Sequence, residues 1–181
     1  MGLLENIALT GFLGSDFLKW LWFMSERNDG IFNIKDIGHA QLAVNGRFRL
    51  EKVDGSFKES FTYSGCQSEN CTSPAEARLS LFKGKAIKEA GIKLIIEDNE
   101  WSFTLDSKYL DIKSMKPPKT EKIKDAENNE DDSEGRFYER VFLIERAVVV
   151  IDSLFASFMA ERIGDIWNDK IISEINTWLE N

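Results

Sequence analysis

Gln41-Leu42-Ala43-Val44-Asn45-Gly46-Arg47-Phe48-Arg49-Leu50 alternates apolar and polar side chains on either side of an Asn-Gly pair. A two-residue alternation is the mark of a strand with one buried face. Asn-Gly is the favoured centre of a type I′ turn, because both residues tolerate positive φ. The stretch therefore predicts two antiparallel strands joined at Asn45-Gly46. Asp54-Gly55 marks a second turn before Phe57–Tyr63, in which Phe57, Phe61 and Tyr63 share a face. Ile92–Ile96 and Trp101–Leu105 flank Asp98-Asn99 and add two strands, and Tyr109–Ile112 is a candidate for another. The expectation is an antiparallel sheet of about five to seven strands.

Helical signals surround this strand-rich middle. Gly14-Ser15-Asp16 precedes Phe17-Leu18-Lys19-Trp20-Leu21-Trp22-Phe23-Met24, which reads as a helix capped by Ser15 with Asp16 complementing its dipole. It is apolar nearly all round and should be buried on more than one side. Asn28-Asp29-Gly30 should end it. Ser73-Pro74-Ala75-Glu76 is a capping box with proline at the first helical position, opening a short helix to about Phe82. Near the C-terminus, Phe137, Val141, Ile144, Val148, Ile151, Phe155 and Phe158 are spaced 4-3-4-3-4-3. That places all seven on one stripe of a helix of roughly 25 residues, expected to be buried on the sheet or against a second copy. Gly164-Asp165 breaks it, and Trp167, Ile171, Ile175 and Trp178 line a last helix. The sum is an α+β domain spanning 1–181. Lys116–Arg136 holds almost no large apolar residue and should be a flexible charged linker.

The net charge of −8 is concentrated: residues 125–135 alone carry −6, while 83–124 carry +3. Two cysteines, Cys66 and Cys71, are too few for a disulfide-built secreted fold. They stay open between ordinary loop thiols, a labile disulfide and, with two of the four ligands of a structural zinc missing at any usual spacing, a metal site. Glu5, Asp16 and Lys19 interrupt the apolar N-terminus and no basic segment precedes it, so neither a signal peptide nor a membrane span is expected. A cytoplasmic protein without membrane contact is the reading.

Catalytic patterns are sparse. His39 is the only histidine, and nothing nearby is placed to orient it as a base. The glycines have neither dinucleotide nor phosphate-loop spacing. Asp98, Asp106, Asp111 and Lys113 form a loose carboxylate–carboxylate–lysine set of the kind metal-dependent nucleases use, which leaves a remote enzymatic alternative. Otherwise no catalytic residue, metal site, cofactor or small-molecule substrate is expected. Arg78, Lys83, Lys85, Lys88 and Lys93 form one basic cluster across a helix end and a strand. Ammonium groups so placed could hold phosphates of double-stranded DNA without reading bases.

Several segments together resemble the RdgC-type recombination-associated proteins, in particular the C-terminal portion of their longer members. They are Phe12-Leu13-Gly14-Ser15-Asp16-Phe17-Leu18-Lys19-Trp20-Leu21-Trp22-Phe23, Glu76-Ala77-Arg78-Leu79 with Lys83-Gly84-Lys85, Trp101-Ser102-Phe103-Thr104-Leu105-Asp106, and the helix from Phe137 to Arg162. The resemblance implies a bacterial or phage protein that binds DNA without sequence preference, acts as a homodimer and performs no chemistry. The N-terminal region of the longer members has no counterpart here. The resemblance carries over no contact residue, so the lysine cluster is inferred from charge alone. Two expectations follow: a non-enzymatic DNA-associated domain, or an interaction and dimerisation module without DNA contact.

Overall fold

A computed structural model describes residues 12–52, 61–64, 74–119 and 130–180. The order of elements is α1 (Phe12–Arg27), β1 (Ile31–Ile34), β2 (Gly38–Lys52), β3 (Phe61–Ser64), α2 (Pro74–Phe82), β4 (Lys85–Ile96), β5 (Asn99–Asp106), β6 (Ile112–Lys116), α3 (Glu130–Ile163), a π-helical turn (Trp167–Ile171) and α4 (Ile172–Glu180). The α+β class, the Trp-rich first helix, the short middle helix and the two C-terminal helices are as expected.

All six strands form one antiparallel sheet in the order β1-β2-β4-β5-β6. Pairing with β4 occupies one edge of β2 from Ala40 to Lys52, so β1 and β3 share the other edge, opposite Gly38–Gln41 and Arg47–Leu50. The Asn45-Gly46 hairpin is not formed, because β2 runs unbroken through it. Asn45 lies opposite Gly91 and Phe48 opposite Ala90, leaving Gly46 and Arg47 without partners on β4. The Asn-Gly pair lies at an irregularity within a long strand rather than at a turn. Because two residues are inserted, Leu42, Phe48 and Leu50 all stay buried on the same face. Opposite them, Lys88 is the extra residue between Ile87 and Glu89, which shifts the inward positions from Ile87 to Ala90, Ile92, Leu94 and Ile96.

The inward face is completed by Trp101, Phe103 and Leu105 of β5 and is covered by the helices, while the face bearing Gln41, Ala43 and Arg49 is exposed. In α1, Phe17, Leu18, Trp20, Leu21, Trp22 and Phe23 are all buried, as the all-round apolarity predicts. Phe17 and Trp20 meet Phe158 at 5.5 and 5.7 Å, and Trp22 lies 4.2 Å from Phe48 and 4.9 Å from Trp178. The first helix thus joins the sheet to both C-terminal helices.

Four further expectations are corrected. Ser15 is not the cap of α1, which starts at Phe12; it lies inside the helix, buried, and its hydroxyl accepts from the Ile87 amide at 3.0 Å. The last strand is not Tyr109–Ile112 but Ile112–Lys116, with Tyr109 in the preceding turn. Of the linker expected over 116–136, residues 120–129 lie outside the described residues, and 130–136 belong to α3, which begins at Glu130. Finally, the seven-residue stripe is not buried as a unit. Ile151 and Phe158 are core, but Phe137, Val141, Ile144 and Val148 are 63, 44, 40 and 36% exposed. A strict seven-residue repeat drifts about 20° per heptad around a straight helix. The packed face is instead Leu143, Ala147, Val150, Leu154 and Phe158. Phe57, the turn at Asp54-Gly55, Cys66 and Cys71 lie outside the described residues.

Candidate interaction surface

Helix α3 has two halves with different surroundings. From Leu143 onward it packs on the body. The Trp101 indole N–H donates to the Leu143 carbonyl at 3.0 Å, and Arg146 reaches Glu97 in the β4–β5 turn at 3.7 Å. Farther along, Phe17 meets Phe155 edge-on at 5.2 Å, and the Trp20 indole donates to Glu161 at 2.8 Å. Every residue from Glu134 to Phe142, by contrast, is exposed. The N-terminal part of α3 therefore stands clear of the described body as an arm.

This arm and the turn behind it carry two adjacent apolar rows. Phe137, Val141, Ile144 and Val148 form one; Tyr138, Phe142 and Val149 form the other, with Glu145 filling its gap, and all seven hydrophobics are exposed. Neighbouring rows on a helix lie about 100° apart, so together they make a face as broad as the one an ordinary helix turns to a core. Phe137 and Tyr138 meet edge-on at 5.8 Å, and Tyr138 donates to Glu134. The first row was legible as a stripe. The second was missed because it is interrupted by a charge and its spacing is too short to stand out.

The basic cluster does not converge on one surface. Arg78 is turned into the helical layer, 5.4 Å over the Trp178 ring and 3.6 Å from Glu26. Glu26 also accepts the indole N–H groups of Trp22 at 2.7 Å and Trp178 at 2.8 Å, so Arg78 belongs to a hub joining α1, α2 and α4. Lys93 is half-buried on β4 and paired with Glu100 at 2.8 Å. Lys83, Lys85 and Lys88 remain in one stretch across the α2–β4 turn and the start of β4, where the register sets Lys52 beside Lys85.

Of the loose nuclease set, the structure joins only Asp106 and Lys113. The Lys113 ammonium donates to Asp106 at 2.7 Å and to Glu89, which sequence reasoning had not singled out, at 2.9 Å. Hydrogen bonds from both carboxylates raise the Lys113 pKa. Burial pushes the Asp106 carboxyl up, but the bonds from Lys113 and the Lys108 amide together outweigh it and hold it below the usual range. Asp98 lies in the turn at the far end of β5, roughly 24 Å away along the strand. The Asp111 side chain is exposed while its carbonyl accepts from the Asp106 amide. Among the described residues no group of three His, Cys, Asp or Glu is placed to hold a metal ion. His39 is exposed on β2 opposite Asn33.

An open groove of about 570 Å³ runs between the end of α1 and α4, lined by Phe23, Glu26, Arg27, Glu174 and Trp178 among others. Its charged groups are taken up by each other, Arg27 with Glu174 and Glu26 with the indoles. Among the described residues no helix is long and apolar enough to cross a membrane. No protein-family model, curated protein or solved structure matches the chain.

Proposed function

We propose that the chain is a non-enzymatic interaction module that works as a pair of identical copies joined through the exposed apolar face of α3. The observation that carries this reading is the arm itself. In folded proteins most helical stability comes from packing an amphipathic face, and this helix extends three aromatic and four aliphatic side chains where its own described chain offers nothing to pack against. With aromatic side chains presenting 150–250 Å² each, the exposed part of the face comes to on the order of 600 Å² per copy. Isolated apolar patches larger than a few hundred Å² mark interaction sites. Doubled across a pair, the area reaches the lower bound of specific interfaces, about 1,200 Å². The bordering charges, Glu134, Arg136, Glu139, Arg140, Glu145 and Arg146, sum to zero. They therefore favour a partner that is itself neutral along this face, as a second copy is. Sedimentation equilibrium is the test: wild type should associate, and Val141→Lys, which places a charge in the middle of the row, should be monomeric with an unchanged fold. A wild type that stays monomeric at every concentration would refute the reading.

Association with the phosphate backbone of DNA is the second reading. It is supported by the concentration of Lys83, Lys85 and Lys88 next to Lys52 at one end of the sheet and by the resemblance to RdgC-type proteins. Arg78 lies apart from that stretch, turned into the helical layer against Trp178 and Glu26.

A further inference from the structure

We infer that the end of the sheet where α2 enters β4 takes single-stranded nucleic acid, with Phe82 and Tyr109 stacking on unpaired bases and the lysines between them holding phosphates. This inference rests on the second reading above and names the kind of strand and the residues that select it. Only Lys83 and Gly84 separate α2 from β4, so Phe82, Lys83 and Lys85 fall within one short stretch of chain. The β5–β6 turn is held beside them, because the Ser107 amide donates to the Lys88 carbonyl at 2.7 Å. That bond brings Lys108 and Tyr109 to the same end of the sheet as Lys85 and Lys88.

Both rings are presented to solvent rather than lodged in the core, Phe82 at 51% and Tyr109 at 64% exposure. Each stands on a turn of fixed shape. After Phe82, the Lys83 amide donates to Leu79 and the Gly84 amide to Leu81, both at 3.0 Å, with Gly84 at a φ of 85° closing the helix. Around Tyr109, the Asp106 amide donates to the Asp111 carbonyl at 3.0 Å, and the Asp106 carboxylate accepts the Lys108 amide at 2.7 Å. Backbone already fixed in this way loses little freedom when a base stacks on the ring it carries. The Lys108 ammonium lies 4.8 Å from the centre of the Tyr109 ring, which sets a cation beside the stacking position. The carboxylates of Glu89 and Asp106 on the adjoining strands are both bound by Lys113, so the lysines leave this end of the sheet net positive. A duplex offers its phosphates to such lysines but keeps its bases stacked inside, and the two rings add nothing to it. An unpaired strand uses both features.

The test is fluorescence anisotropy of the full chain with a labelled oligothymidine of about 15 nucleotides, a length within the usual range of single-strand sites, and with a duplex of the same length. The single strand should bind more tightly. Phe82→Ala and Tyr109→Ala should each lower that affinity by on the order of tenfold and leave the duplex affinity unchanged, while Tyr109→Phe, which keeps the ring, should bind as wild type does. Circular dichroism melts of the same variants check that the fold is intact. Equal wild-type affinity for both forms, or alanine variants that bind the single strand as wild type does or lose both forms alike, would overturn this inference and leave the phosphate reading standing. No binding of either form at low ionic strength would overturn both.

Discussion

A methyl group at Gly14 would sit 1.8 Å from the carbonyl oxygen of Ser107. The atom in the way is backbone and cannot swing aside, so α1 and the turn after β5 meet only because residue 14 lacks a side chain. Gly14→Ala should cost about 1–3 kcal/mol, the range of overpacking, despite the better helix propensity of alanine; urea unfolding would measure it. Asp16, two residues on, is governed by a different balance. Burial pushes its carboxyl above 3.8, only partly countered by Lys19 and by Arg162 at 3.8 Å. A raised folded pKa means that the folded state holds the proton more tightly than the unfolded chain. The group's contribution is thus present below the unfolded pKa and lost as pH rises through the folded one. Asp16→Asn should flatten the fall in stability as pH rises above about 4, and unfolding midpoints measured at acid and neutral pH would show it. A large loss at neutral pH in the variant would mean that the ion pairs outweigh burial. Neither role was legible in the sequence. Gly14-Ser15-Asp16 has the composition of a helix start, and a cap and an interior contact of the same residues differ only in what lies opposite them.

Within a single helix, the same kind of substitution should have two different effects. Ile151 is enclosed by the core of its own copy, whereas Val141, ten residues earlier on the same row, faces outward. Ile151→Asp buries an unpaired charge and should remove several kcal/mol, on the order of the whole stability of a domain. Val141→Lys should leave the thermal midpoint of the isolated copy unchanged and remove only self-association. Circular dichroism melts beside sedimentation would separate the two outcomes. If both variants unfold, α3 is packed along its full length and the arm does not exist. The row itself was readable from the 4-3 spacing, and so was the presence of a long helix. Which members are buried was not readable, because periodicity gives the face of a helix but not how far the sheet beneath it extends. β2 gives the converse case. Asn45-Gly46 satisfies the local requirements of a turn, but Phe61–Ser64 and Lys85–Ile96 hold both edges of the strand and carry it straight through.

At the scale of the molecule, the two readings of function use opposite properties of the chain and can be separated. Lys83→Glu, Lys85→Glu and Lys88→Glu made together should abolish any duplex-DNA retention while leaving the pairing through α3 untouched. With about three phosphate contacts, the slope of log K against log salt for wild type should be roughly −3. No retention at low ionic strength would remove the DNA reading and leave the interaction module alone. The fold class was legible because strand alternation, the capping box and the apolar helices each pointed the same way. The candidate surface was only half legible, since charge clustering along a sequence says nothing about Arg78 turning inward to Trp178 and Glu26.

The central claim is that the arm of α3 is covered by a second copy. Amide hydrogen exchange resolved along residues 134–149 of the full-length chain, at two protein concentrations on either side of the association midpoint, tests it most directly. Exchange over 134–142 should slow with concentration, while 150–158, enclosed within one copy, should exchange equally slowly at both. Protection of 134–142 that does not change with concentration would contradict the claim.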